Sequence, residues 1–501
     1  MNFTYFIFFV VIVIGTLVIT HWAAERSRTA HQFYVAAGSL TGMQNGMAIA
    51  GDFISAASFL GITGLIALYG YDGFLYASGF LISYVILILL IVEPVHRLGT
   101  YSVADVISAR FPGNRMRAVV SISGISISIL YMIPQLVASG LLIRLLLGVD
   151  FRVSVVIIGI LMTVYVAFGG MVATSWVQII KTVLLMGGTL LVVFILLSWM
   201  NWNFFDLINQ AVEQSPHGTA YFYPGNLFTH PIEKVSLTLT LLLGTSGLPH
   251  ILIRFLTVKN AKQARLSAMS ASWIIGIFYI MTLILGVGTI ALVGSEALTQ
   301  VDQSGNLAAL LLAEAVGGDF LIAFVMAVAF ATIIAVVTGL IFAATSSFAH
   351  DIYFHLWKKE KVEEKKQLQV ARRVAVVIGI VSILLSIEME HSNVAFLVSS
   401  TFAIAASTLF PLLIYTIYWK RFNRKGAYAT LLIGFFTSIA LVVTGPEGFG
   451  ISPLANPGII TIPAGFVGGI IGSLIGKEEE QGYQHLLVRL YREKQEAVSH
   501  D

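Results

Sequence analysis

Residues 43–65 read MQNGMAIAGDFISAASFLGITGL, an apolar stretch long enough to cross a membrane but interrupted at its centre by Gly51 and Asp52. A carboxylate at mid-membrane depth costs roughly 2.5–3.5 kcal/mol on insertion scales. Non-helical backbone survives there only where it is buried in protein or lines a cavity. The stretch therefore marks a candidate binding site.

Hydrophobic residues make up 57% of the 501 and charged residues only 11%, which places the chain among helical integral membrane proteins. No sustained alternation of period two points to a barrel. The lack of cysteine excludes disulfides, zinc thiolate centres and iron–sulfur ligation, and a net charge of +3 is too small to imply nucleic acid.

Thirteen apolar segments of about spanning length can be marked, near residues 4–22, 43–66, 74–95, 118–143, 153–172, 176–199, 236–256, 269–294, 314–349, 374–387, 393–418, 427–444 and 459–476. The ninth is long enough to hold a short surface helix before its span. With the N-terminus outside, 25 of the 29 Lys and Arg fall in cytoplasmic loops and tail; Arg144, Arg152 and Lys234 face outside, and Lys181 lies within a segment. Positive charge stays on the cytoplasmic side, so this orientation is expected, with the C-terminus in the cytoplasm of a cell-membrane protein. The first segment lacks a basic n-region and is followed by Glu25, Arg26 and Arg28, which reads as an outside-in helix rather than a cleaved signal peptide.

A second break matches the first. Residues 236–256 read SLTLTLLLGTSGLPHILIRFL, with Gly244, Thr245, Ser246, Gly247 and Pro249 interrupting the apolar run five spans after Gly51 and Asp52. Paired interruptions of this kind point to a secondary transporter of inverted repeats, with its site between discontinuous helices at the midplane. The expected organisation is an extra helix and loop (1–42), a first repeat of five helices (43–199), an extracellular loop (200–235), a second repeat (236–418), two further helices (419–476) and a cytoplasmic tail (477–501). Five is odd, so the second repeat is inverted.

At the first break the outer half-helix is expected to start near Ser55, presenting N–H groups and the hydroxyls of Ser55 and Ser58; at the second, Ser246 is placed to cap a half-helix with Pro249 in its first turn. Both N-termini suit an anion such as a carboxylate, and the carbonyls from Ala50 to Ile54 suit a cation. Hydroxyls bonded back into their own helix, and a kink without a ligand, remain the plainer readings.

The runs GDFISAASFLG, RLGTYSVADVISARF, YVAFGGMVATSWVQ, GLPHILIRF and HDIY together resemble the solute:sodium symporter family, specifically its bacterial acetate (short monocarboxylate) permease branch, over Gly38 to about Tyr418. The resemblance implies an all-α, leucine-transporter-like five-plus-five fold with alternating access, and a monocarboxylate substrate. It also implies Na+ as coupling ion, held by the carbonyls of Gly51 and Ile54 and by oxygens of the ninth segment. There the sequence departs from the pattern: the hydroxyl positions fall on Ala335 and Val336, the carbonyl position on Thr332, and an acidic position of the TSWVQ run on Ser175. Thr332, after a slip of one turn, and Thr338 are the available substitutes. Phe59, Tyr131 and Gln135 resemble substrate-facing positions of the family, with core packing the plainer reading of the aromatics; Thr245, Ser246 and Gly247 are expected to bind substrate because they form the second break.

Lys181 lies six residues beyond Ser175 and therefore roughly 9 Å deeper in the membrane. An ammonium there can take the place of the ion, with Asp52 as counter-charge, and exchange a proton to couple transport to a proton gradient. Snorkelling to the cytoplasmic surface is the alternative for Lys181, as capping of the outer half-helix is for Asp52. His250 is read as a cap or vestibule residue. The tail sequence LLVRLYREKQ reads as an amphipathic helix able to lie on the membrane. No HExxH or paired-acid motif of a membrane enzyme is present, no repeated filter sequence favours a channel, and about 25 residues after the last span are too few for a fused signalling domain. No organic cofactor and no protein partner is expected, only a small organic anion, Na+ or H+, and the bilayer.

Overall fold

Thr41 opens the first core helix, α1 (Gly42–Phe53), with a capping box in which its side chain accepts from Gln44 N while Gln44 bonds back to the cap. The computed structural model describes residues 36–168, 171–358, 364–446 and 449–498, with scattered positions before residue 19. The segment expected at 4–22, Gly169 and Gly170 thus lie largely or wholly outside the described residues.

Every regular element among the described residues is helical. After α1 the chain bends by 65° into α2 (Ala57–Tyr69). Then come α3 (Tyr71–Leu98), the short α4 (Val103–Ser108), α5 (Asn114–Leu147), α6 (Phe151–Phe168) and α7 (Met171–Trp199). The loop helix α8 (Phe204–Gln214) leads to the second broken span, α9 (Pro231–Gly244) and α10 (Pro249–Thr257), bent by 48°. The second half continues with α11 (Ala261–Leu292), α12 (Ser295–Val301), α13 (Ala308–Ser347), α14 (Glu364–Ile387) and α15 (Val394–Tyr418). Helices α16 (Arg424–Thr444), α17 (Gly458–Ile475) and α18 (Glu480–Val498) complete the described chain. The surface helix expected before the ninth span is the first part of α13, set off by Gly318, whose φ of 60° only glycine adopts without strain.

The packing repeats between halves. Helix α1 packs on α11 and α7, and the corresponding α9 packs on α3 and α15, while α5 and α13 face each other. This is the leucine-transporter-like arrangement, with the broken first and sixth core helices side by side. Small residues permit the closest approaches. A methyl group on Gly51 would meet Thr182 Oγ1 at 2.6 Å and Gln178 O at 2.7 Å, so α1 and α7 touch almost backbone to backbone.

Two of the marker runs in the sequence turn out to be one unit. Arg117 at the start of α5 salt-bridges Asp105 on α4 and reaches Asp351 of the HDIY run at 3.1 Å; Ser102 Oγ donates to Asp351 at 3.1 Å, and His350 lies 2.9 Å from it. Burial works to raise the Asp105 carboxyl, but His350, Arg117 and the Tyr101 N–H outweigh it and hold it below the usual carboxylate range. On the opposite face, Asn393 Nδ2 donates to Ser304 O at 2.9 Å and Asn306 Oδ1 accepts from Val394 N at 3.1 Å, tying the start of α15 to the loop before α13.

The tail corrects an expectation. Rather than turning its apolar face to lipid, α18 buries Leu486 and Leu490 in the protein. Arg97 Nη1 donates to Leu490 O at 2.7 Å, Tyr483 lies 4.7 Å from the Arg110 guanidinium, and Glu480 pairs with Lys420 at 2.7 Å. A protein groove already lined by cations and aromatic rings takes the face that a bare membrane surface would otherwise cover.

Candidate functional site

Gln178, Lys181 and Thr182 lie on the face of α7 that α1 approaches, because Gly51 lets the two backbones meet. Lys181 Nζ donates to Gly51 O, and to Ile54 O at 2.9 Å. These carbonyls are free because α1 ends at Phe53, and Ile54, in extended conformation, begins the break. The ammonium is 2% exposed, so it does not snorkel.

Asp52 does not take Lys181 as its direct partner, nor does it cap α2, since it lies in the last turn of α1. One carboxylate oxygen receives the Arg254 Nε–H and the other the Gln178 amide. Arg254 was expected among the cytoplasmic cations, yet it is 2% exposed and turned inward. Its Nη1 donates to Ser175 Oγ at 2.6 Å, and the Gln178 amide donates also to Ala335 O at 2.9 Å. The reason is electrostatic: a guanidinium one turn past His250 can reach a buried carboxylate that otherwise has no full counter-charge. Asn45 and Thr257 lock this junction, with Asn45 Nδ2 donating to Arg254 O at 2.9 Å and Thr257 Oγ1 to Asn45 Oδ1 at 2.9 Å.

The residues proposed for sodium on the ninth span have other partners. Thr332 Oγ1 donates to Val328 O at 2.9 Å and Thr338 Oγ1 to Ile334 O at 2.7 Å, each bonded back into α13.

Around the breaks lies a second group of buried polar side chains. Gln135 Oε1 accepts from Ala56 N at 3.1 Å, which caps the start of α2 and leaves the Gln135 Nε2–H groups without a partner. The Tyr131 hydroxyl lies beside Ser55, and its ring stacks on His250 with centroids 5.1 Å apart. His250 is thus buried rather than in a vestibule, and neither ring nitrogen has a hydrogen-bond partner. The hydroxyls of Ser246 and Tyr84 are also buried and unpartnered. Ser246 does not cap α10; the residue before that helix is Leu248, with Pro249 in the first turn as expected. Because α10 is one α-turn followed by a 3₁₀ stretch, its dipole is short, and side-chain donors carry more of any anion affinity than helix ends do.

Ser58 shares a hydrogen bond of 3.1 Å with Tyr279 OH, Thr245 Oγ1 donates to Leu241 O at 3.3 Å, and Phe59 packs against Phe278. Gly247 lies so close to α15 that a methyl group on it would meet Ala405 O at 2.5 Å. Of the side chains proposed from sequence, Asp52 and Lys181 join the charged constellation, and Ser55, Tyr131 and Gln135 line the neutral one. Arg254, Gln178 and Tyr84 escaped notice. A signal for Gln178 existed: Ser175, Gln178 and Lys181 recur every three residues on one face of an otherwise apolar helix.

Residues 33–434 match the Sodium:solute symporter family. A Bacillus subtilis (strain 168) protein described as the uncharacterized symporter YwcA is 52% identical over 490 residues, covering 96% of both chains. Among solved structures, a Na+-coupled sialic acid symporter in a substrate-bound outward-open state aligns with a TM-score of 0.76 at 18% identity, covering 95% of this chain and 99% of that one. Mhp1, a nucleobase-cation-symport-1 family transporter, aligns at 0.53 and 13% identity over 91% and 99% of the two chains.

Proposed function

Because the chain belongs to the sodium:solute symporter family, a family of cation-coupled symporters, we propose that it takes up a short-chain monocarboxylate, acetate-like in size, by alternating access between the two faces of the membrane. The observation that carries the substrate class is a cluster of polar groups at the breaks: Gln135 Nε2, Ser246 Oγ, Tyr84 OH and the His250 ring, which offers one N–H when neutral, are buried without protein partners. An unpartnered buried polar group costs about 1–3 kcal/mol, which a bound carboxylate, an acceptor with room for several donors, relieves. Aromatic walls from Phe53, Tyr131 and Phe402 leave an apolar side suited to a short alkyl group.

Family membership favours Na+ as coupling ion, with Gly51, Ile54 and Thr332 as ligands. A specific observation favours a proton instead. Lys181 Nζ stands on the Gly51 and Ile54 carbonyls that such an ion would use, while Ala335 and Val336 offer no side-chain oxygen. In this reading the lysine is a tethered cation, loaded by protonation from the outer side and unloaded by losing the proton to the cytoplasm, with Asp52 and Arg254 holding the break in shape.

Uptake of labelled acetate into proteoliposomes, with a proton gradient, a sodium gradient or neither, tests the proposal. Saturable uphill uptake driven by the proton gradient is expected; concentration of acetate by neither gradient rejects symport of this kind, and drive by sodium alone rejects the lysine as coupling group. The proposed setting is the cell membrane, N-terminus outside and C-terminus in the cytoplasm. An epitope added after Asp501 is then reached by antibody only after cells are permeabilised, and labelling in intact cells reverses the orientation.

A further inference from the structure

We infer that the buried site carries one positive charge that no group among the described residues balances, so that the transported solute is obligatorily a monoanion and moves with one proton and no net charge. The inference rests on the proton-coupled reading above and extends it to substrate charge and stoichiometry.

Asp52 is committed on both oxygens, one to Arg254 and one to Gln178, so this carboxylate and guanidinium cancel. Lys181 bonds only to the neutral carbonyls of Gly51 and Ile54. Among the described residues no further acid is near. Lys181 is the one charged residue of 171–199 and Asp52 the one of 42–69; residues 118–143, 320–347 and 394–418 hold none. On α13 the acids Glu314 and Asp319 lie before the span, at its outer end, and on α11 Lys262 and Arg265 lie at the opposite end. On α3, Asp72 binds the outer loop through Gly225, Leu227 and Phe228, and Glu93 pairs with Arg97. His250 and Tyr279 add no negative charge while neutral.

Two states of this site are therefore neutral: an empty one with Lys181 as the free amine, and a loaded one with Lys181 as ammonium and a single carboxylate among the unpartnered polar groups beside Ser55, the residue after Ile54. The loading step balances: a proton adds to the amine, the anion enters, and the site's net charge is unchanged. A protonated site without anion, or an anion without the proton, leaves an isolated charge in a low-dielectric interior. Proton and anion consequently favour each other's binding, and by reciprocity each strengthens the other equally. A dianion overshoots to net negative, and a neutral solute leaves the ammonium unbalanced.

The test uses the full-length protein in proteoliposomes, with rates taken as the difference from protein-free vesicles because undissociated acetic acid crosses lipid unaided. A proton gradient is imposed with the membrane potential clamped by potassium and valinomycin at zero or inside-negative values. The expected result is a carrier-dependent initial rate of acetate uptake that rises with outside acidity and is the same at both potentials, as one proton per anion requires. Acetate addition on a solid-supported membrane produces no sustained transport current, and malonate and acetamide do not compete. Proton-driven uptake that quickens at inside-negative potential, or competition by acetamide equal to that of propionate, overturns the inference while leaving proton symport standing. Absence of proton-driven uptake rejects the underlying reading instead.

Discussion

Lys181→Ala is expected to abolish gradient-driven accumulation, lowering carrier-dependent acetate uptake by roughly 100-fold, the upper part of the range for coupled sites. The substitution removes the only cation on the Gly51 and Ile54 carbonyls and leaves Asp52–Arg254 as a closed neutral pair. Without the ammonium, entry of an anion brings net negative charge into the bundle. Sodium is not expected to rescue the variant, because Ala335 and Val336 supply no hydroxyl and the Thr332 and Thr338 hydroxyls are bonded back to Val328 and Ile334. Uptake in the same vesicles is the measurement, with thermal unfolding in detergent to confirm that the fold survives. Sodium-driven uptake persisting at the wild-type rate would show that Lys181 has no part in coupling.

Asp52→Asn is expected to destabilise the protein by about 3–5 kcal/mol, the cost of breaking a buried pair from one side. Asparagine leaves Arg254 as an uncompensated cation, 2% exposed and in the same junction as Lys181. The compensated double variant, Asp52→Asn with Arg254→Gln, removes the charge imbalance and should recover much of the lost stability, though not transport. A double-mutant cycle on unfolding in a mild detergent separates these terms. If the single and double variants unfold alike, the pair is not what holds the break. The pairing also accounts for the location of Arg254: its guanidinium is drawn inward by Asp52 and Ser175 and ties the second broken helix to the first.

The two breaks, their five-span separation and hence the fold were legible in the sequence because membrane helices announce themselves by composition, and interruptions by glycine, proline or a carboxylate are conspicuous against it. Lys181 was legible for the same reason, as a charge alone in an apolar run. The docking of α18 into a protein groove was not, since an amphipathic face does not say whether lipid or protein will cover it. Arg254 was misjudged because it sits at the end of an apolar run, where a cation ordinarily faces the cytoplasm, and only the short, partly 3₁₀ form of α10 turns it inward.

The sequence by itself determined the membrane class, the paired broken helices, the family and the polar residues that interrupt the apolar runs, because each depends on composition and order along one chain. The tertiary structure alone decided which of those residues meet. Asp52 prefers Arg254 to Lys181, and Lys181 takes the carbonyls instead, because Gly51 allows α7 to approach α1 at the one level where the helix has ended and its backbone oxygens are free. Charge partners in a bundle are chosen by distance across helices, and that distance is set by packing rather than by position in the chain.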